Sequence, residues 1–290
     1  MKLRTLLFLT TMGLLPPGLA QAQEDVPVLV STEWLAEYLD DDNLVILNVH
    51  MAHAGIPTEY IPGAHFVDYH ELEDTVGEIP IEMPPVEHLQ AVFQQAGVSN
   101  DKHVVIYGTN PAHEAARAFM TLEYLGHKGK TSMLDGGFEA WKAEGRPTVS
   151  EAAEGPPGVF EIDLGGHVLI SADELAERLD DPHLTLIDAR PANQHAAGFI
   201  PGSYNLFWQD LIVSDEEPRL IDLDAVKARF HEAGAAEDGL VVNYCQIGMR
   251  ASYTYLVSRL LGYETRFYDG SWSEWGQRYD LPREKKISVQ

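Results

Sequence analysis

Apolar and polar positions along the chain follow two different periods. Short, nearly continuous apolar runs occur at Leu44-Val45-Ile46-Leu47-Asn48-Val49, Val104-Val105-Ile106-Tyr107, Leu184-Thr185-Leu186-Ile187-Asp188 and Leu240-Val241-Val242-Asn243-Tyr244. Their length and β-branched content predict strands buried on both faces. Longer stretches at helical spacing follow at Ala112–Leu125 and Ala251–Leu261. Two further helices are predicted at Ser31–Leu39 and Ser171–Leu179, each opened by a serine N-cap with an acidic residue in its first turn. Strands alternating with helices predict an α/β fold, each unit a mostly parallel sheet covered by helices on both faces. In such sheets ligands sit beyond the carboxyl ends of the strands.

The pattern occurs twice. Val30-Ser31-Thr32-Glu33-Trp34-Leu35 is echoed by Ile170-Ser171-Ala172-Asp173-Glu174-Leu175, and Tyr60-Ile61-Pro62-Gly63-Ala64 by Phe199-Ile200-Pro201-Gly202-Ser203. Leu134-Asp135-Gly136-Gly137-Phe138 returns as Tyr268-Asp269-Gly270-Ser271-Trp272, with Trp141 answered by Trp275. The order of the blocks is kept, so the chain carries two copies of one domain, at 27–147 and 169–290. Residues 148–168 between them are rich in proline and glycine and read as an irregular linker. Ahead of the first copy, Lys2 and Arg4, the apolar run Leu6–Leu15 and Ala20-Gln21-Ala22 have the order of a signal peptide, residues 1–22. Export to the periplasm is the expectation, with the mature chain starting near Gln23 and holding no membrane span.

Composition narrows the function. A length of 290 residues suits two domains, and 45% hydrophobic residues support real cores. Twenty Lys+Arg against 45 Asp+Glu leave a net charge of −25. So acidic a surface repels nucleic acids and anionic membranes. The single cysteine excludes an internal disulfide and a cysteine-rich zinc site. His50, His53, His65 and His70 lie close in sequence without a ligand pattern, so no metal is expected. His113 and His127 read as surface residues, and Trp272 and Trp275 as core.

The one cysteine stands where a site belongs. Cys245 directly follows a predicted strand and opens Cys245-Gln246-Ile247-Gly248-Met249-Arg250, after which a helix begins. A loop curled there aims backbone N–H groups and the helix N-terminus inward, which favours the nucleophilic thiolate. Gly248 suits a positive φ, and Arg250 adds hydrogen-bond donors for an oxyanion. From spacing alone, a buried structural cysteine is an equal reading.

These residues together resemble the rhodanese superfamily, more narrowly the tandem-domain thiosulfate and 3-mercaptopyruvate sulfurtransferases. The resemblance spans about Pro27 to Pro282. It implies a catalytic second copy and, since Gly108 stands opposite Cys245, a first copy without a nucleophile. It further implies a double displacement: Cys245 takes sulfur from a small anionic donor as a persulfide and passes it to cyanide or a thiol, with no cofactor. Arg190 matches the substrate-binding arginine. Asp188 is expected to order the loop after its strand, and Asp68 matches a supporting acid contributed by the first copy.

Two departures bear on the donor. Gln246 and Ile247 match neither the basic loop associated with thiosulfate nor the Gly-Ser loop associated with mercaptopyruvate. Glu82 replaces a histidine expected before Met83-Pro84. Both weaken the mercaptopyruvate reading and leave thiosulfate preferred. Two alternatives remain open: a non-catalytic persulfide carrier, and a rhodanese-fold phosphatase. The phosphatase loop is Cys-x5-Arg, whereas four residues separate Cys245 from Arg250.

Overall fold

The computed structural model describes residues 26–109, 112–164 and 168–286. The signal-peptide reading at 1–22 therefore lies outside the described residues, as do Asn110, Pro111, Gly165 and Gly166.

The first copy runs β1 (Leu29–Val30), α1 (Thr32–Glu37), β2 (Leu44–His50), β3 (Ala64–Asp68), β4 (Asp74–Val76), β5 (Ile79–Glu82), α2 (Val86–Gln95), β6 (His103–Gly108), α3 (His113–Tyr124), β7 (Thr131–Leu134) and α4 (Gly137–Ala143). The second runs α5 (Ala172–Glu177), β8 (Leu184–Asp188), α6 (Ala192–Ala197), β9 (Tyr204–Asn205), α7 (Leu223–Glu232), β10 (Leu240–Tyr244), α8 (Ala251–Leu260), β11 (Glu264–Phe267) and α9 (Ser271–Trp275). Ser31 and Ser171 cap α1 and α5 in the same way, each side chain accepting from the backbone three residues on.

The main sheets are parallel and ordered alike, β1-β7-β6-β2-β3 and β11-β10-β8-β9, while β4 and β5 form a separate antiparallel hairpin. In place of a first strand, the second sheet has one bridge, Leu169 beside Phe267. Side chains alternate across each sheet as the strand period requires. Val45, Leu47 and Val49 join one core, whereas Ile46, Val105 and Tyr107 join another with Leu35 of α1 and Trp141 of α4. Leu186, Val242 and Tyr244 build the equivalent outer core of the second copy, with Leu175 and Trp275.

The remaining core is common to both copies. It contains α2 and α3 residues of the first together with α7 and α8 residues of the second. Every residue of α3 from His113 to Glu123 is buried, as are Ala251–Ser258 of α8. A helix enclosed on all sides must satisfy its polar groups internally. Glu123 accordingly accepts from Tyr255 (2.7 Å) and from Arg259 Nε (2.9 Å), and Arg117 Nη1 donates to Asp269 (2.5 Å). Backbone bonds cross the interface in both directions: Leu220 N–H donates to Asp135 (2.9 Å) and Met83 N–H to Asp269 (2.6 Å).

The described linker residues form no helix or strand of their own, yet they are packed on the first copy. Phe160 is fully buried, and its carbonyl accepts from Gln90 and Gln94. Gly158 lies so close to Val98 that a Cβ would sit 2.0 Å from its carbonyl oxygen. Both histidines expected at the surface are buried: His113 packs edge-on against Trp208, and His127 bonds Thr131 and the Ser99 carbonyl. Contacts from elsewhere in the fold cover them, which local polarity could not reveal. No helix among the described residues is long and apolar enough to cross a membrane.

Candidate active site

Because β10 is flanked on both sides by parallel strands, its carboxyl end opens onto the loop that carries Cys245. The 245–250 loop is held from beneath by α9. Ser271 Oγ accepts from both Cys245 N–H and Gly248 N–H (3.1 Å each) and donates to the Tyr268 carbonyl (3.0 Å). Trp272 and Ser273 N–H groups bond the Cys245 and Gln246 carbonyls. Among the described residues, the N–H groups of Gln246, Ile247 and Met249 donate to no group of the chain. They remain with the N-terminus of the ten-residue α8 as the local source of positive potential.

Two residues of this loop floor are under backbone constraint. Gly248 has φ +78, and a Cβ there would meet Asp269 at 2.9 Å. Ser271 has φ 52, in the left-handed region, where the first copy has Gly137 at φ 57. A serine in that conformation costs of order 1–3 kcal/mol. Its hydroxyl recovers this by tying two loop amides at once. The Gly137-to-Ser271 change between copies was the sequence signal for this residue, and it went unread because both fit a turn.

Cys245 itself is fully buried within the shared core. Asp188, at the end of β8, is the hub beside it. Its carboxylate accepts from Arg190 Nε and Nη2, His195 Nδ1 (2.8 Å) and Tyr244 OH (3.0 Å). Burial alone would raise its pKa, but the hydrogen bonds from His195 and Arg190 outweigh this and hold it below the ordinary value.

Arg190, expected to grip the donor's anionic group, has partners of its own within the second copy. It is 1% exposed, its Nη2 also donates to the Gly198 carbonyl (2.7 Å), and its guanidinium lies over Trp272 and Tyr244. Only Nη1 faces the catalytic loop, donating to Gln246 Oε1 at 3.4 Å. Placed thus, Arg190 orders the loop after β8 and is not a free cation. The less committed cation is Arg250, half-buried, with Nη1 donating to Gln194 (3.3 Å). Beside it, burial and then the Arg250 charge lower His113 to about 3, so that ring is neutral.

Asp68 ends β3 and accepts from the Ala52 and His70 N–H groups (3.2 Å each), which caps the turn carrying Tyr69. Both of these hydrogen bonds stay within the first copy. Glu82 lies on the interface near Asp269 and Glu274. Burial, then the repulsion of those two carboxylates, raises it to about 7. Arg117 and Asp269, unread in the sequence, form the buried pair behind Gly248. Among the described residues, no group of three or more His, Cys, Asp or Glu side chains is arranged to hold a metal ion.

The family model for the rhodanese-like domain matches residues 31–144 and again 171–278. The chain is 31% identical over 276 residues to the 3-mercaptopyruvate sulfurtransferase of Escherichia coli K12, covering 88% of this chain and 97% of that protein. It is 28% identical over 286 residues to the thiosulfate sulfurtransferase of Mus musculus, covering 90% and 95%. The crystal structure of SseA from Escherichia coli superposes with a TM-score of 0.75 at 28% identity, covering 85% of this chain and 99% of that one.

Proposed function

The chain belongs to the rhodanese-like family, and on that premise we propose that it is a sulfurtransferase that uses Cys245 as nucleophile and prefers thiosulfate as donor. One observation carries the reading: the only cysteine lies at the carboxyl end of a central parallel strand, in a loop that leads into the N-terminus of α8 and has three amides without a partner among the described residues. The Cys245 thiolate attacks the outer sulfur of thiosulfate. A sulfur–sulfur bond forms to Cys245, the donor's own sulfur–sulfur bond breaks, and sulfite leaves with the bonding pair. The resulting persulfide anion is stabilised by the loop amides. Cyanide or a thiolate then attacks the terminal sulfur and expels the cysteine thiolate, so no net redox equivalent is consumed. Arg250 attracts the anionic donor against the chain's net negative charge, while Arg190 and Asp188 keep the loop in place.

The thiosulfate preference rests on Glu82, whose carboxyl occupies the interface near Asp269 where a histidine was expected, and on the lack of a serine at 246 or 247. In this reading residues 169–290 are the catalytic copy, residues 27–147 the supporting one, and residues 1–22 direct export to the periplasm.

The test is intact mass after incubation with thiosulfate and, separately, 3-mercaptopyruvate. A gain of one sulfur atom, reversed by cyanide, absent in Cys245→Ala and faster with thiosulfate, is the expected result. The same spectrum of protein recovered from producing cells gives the mature start near Gln23. No gain with either donor from reduced protein overturns the enzyme reading in favour of a binding or carrier role. A faster gain with 3-mercaptopyruvate overturns the donor preference alone.

A further inference from the structure

The two copies place aromatic side chains at equivalent positions. In the first sheet Phe66 pairs with Asn48; in the second Asn205 pairs with Asp188. Counting on from these equivalent pairs, Tyr69 and Trp208 hold the same position, each opening a short 3-10 turn after the edge strand. Trp208 reaches out of the second copy and packs against His113, at the start of α3, and against Tyr253 of α8. Tyr69 is its first-copy counterpart. It is fully buried in the core that also contains Cys245, and the groups acting electrostatically on its hydroxyl include Arg117, Glu73, Glu114 and Cys245 itself.

Trp208 offers an aromatic face, whereas Tyr69 brings a hydroxyl, and that hydroxyl has no hydrogen-bond partner among the described residues. An unpaired buried hydroxyl is costly and rarely idle. Burial also holds the phenol protonated, so it is a donor throughout the working pH range. Nothing else about the position demands a hydroxyl, since phenylalanine would fill the same apolar volume without the unmet donor.

We infer that Tyr69, supplied by the copy without a nucleophile, donates a hydrogen bond to the sulfane sulfur while it is carried on Cys245, completing from above the cradle that the loop amides build from below. The phenol keeps its proton and no covalent bond to it forms. Its contribution is to stabilise the negative charge that the transferred sulfur carries as the terminal atom of the persulfide. A hydroxyl without a partner in the resting enzyme is thereby paired in the loaded one. The inference rests on Cys245 persulfide formation.

The test is Tyr69→Phe in the full chain, followed by thermal unfolding, steady-state thiocyanate formation and the lifetime of the loaded form by intact mass. A hydroxyl that serves only the loaded enzyme predicts a Tm equal to or above that of the parent. It also predicts a kcat about 10- to 100-fold lower, a KM for thiosulfate within about twofold, and faster loss of the bound sulfur. Parent-like kcat and lifetime in a parent that does gain sulfur overturn the role of Tyr69 and leave the persulfide reading intact. A lowered Tm also overturns it, because the hydroxyl would then serve the fold. Absence of any sulfur gain in the parent overturns the persulfide reading first, and this inference with it.

Discussion

The first and second copies share a sheet order, a capping serine and even single bonds. Ile61 N–H donates to Tyr107 OH as Ile200 N–H does to Tyr244 OH, and Trp141 reaches the Pro147 carbonyl as Trp275 reaches that of Pro282. They part company at the carboxyl ends of their strands. The strand tyrosines Tyr107 and Tyr244 are 137 residues apart, but the glycines closing α3 and α8, Gly126 and Gly262, are 136 apart. The stretch from strand tyrosine to helix-closing glycine is therefore one residue shorter in the copy that carries Cys245. The same alignment sets Arg117 against Tyr253 and Glu123 against Arg259, so the two central helices carry different charges at equivalent positions. Asn48 stands where the second copy has the hub carboxylate Asp188. Duplication preserved the scaffold; the polar groups diverged at the carboxyl ends of the strands and along the two facing helices.

The strongest way to break this comparison is at Arg117. Replacing it with methionine keeps the volume and strands Asp269 as an unpaired buried charge, a loss of about 3–5 kcal/mol. Urea unfolding of Arg117→Met checks this, and adding Asp269→Asn should recover part of the loss. A change below about 1 kcal/mol would show that the copies do not depend on this pair.

Glu82 gives a smaller effect with a pH signature. Its carboxyl titrates near 7 in the folded chain against an ordinary 4.5. The folded state therefore holds the proton more tightly, so stability is greatest below about pH 4.5 and falls as pH rises toward about 7. Glu82→Gln removes this contribution. The difference in unfolding free energy between variant and parent should grow in the variant's favour from pH 5 to 8. A difference that stays flat across that range would place Glu82 outside the interface's electrostatics.

The smallest effect sharpens the equivalence itself. Gly63 and Gly202 follow the repeated Ile-Pro, at φ +79 and +77, and neither has an atom within 4 Å of an added Cβ. Alanine at either should cost only the left-handed strain, about 1–2 kcal/mol, and the two losses should agree within a few tenths of a kcal/mol. Unequal losses by chemical denaturation would mean that the two turns are not under the same constraint.

Strand runs, capping serines and the duplicated blocks were legible because each depends on residues close in sequence. The predicted helix at Ala112–Leu125 differs from α3 by a residue at each end, and that at Ala251–Leu261 from α8 by one residue at its carboxyl end. Cys245 was legible too, from the strand before it and the helix after it. Tyr69, Arg117, Asp269 and Ser271 were not. Arg117 and Asp269 meet across 152 residues of chain, and no local period marks either as half of a pair. Arg190 shows the converse limit: its motif was legible, but its contacts with Trp272 and the Gly198 carbonyl were not.

By itself, then, the sequence determined the α/β units, their duplication and the position of Cys245 between strand and helix. These follow from propensity and hydrophobic period, which act over a few residues. Tertiary structure alone decided that the thiol is covered, which cation stays available, and which first-copy groups meet the catalytic loop. Those outcomes depend on how two preformed sheets dock through α3 and α8, where burial strengthens every charge and penalises every unpaired donor.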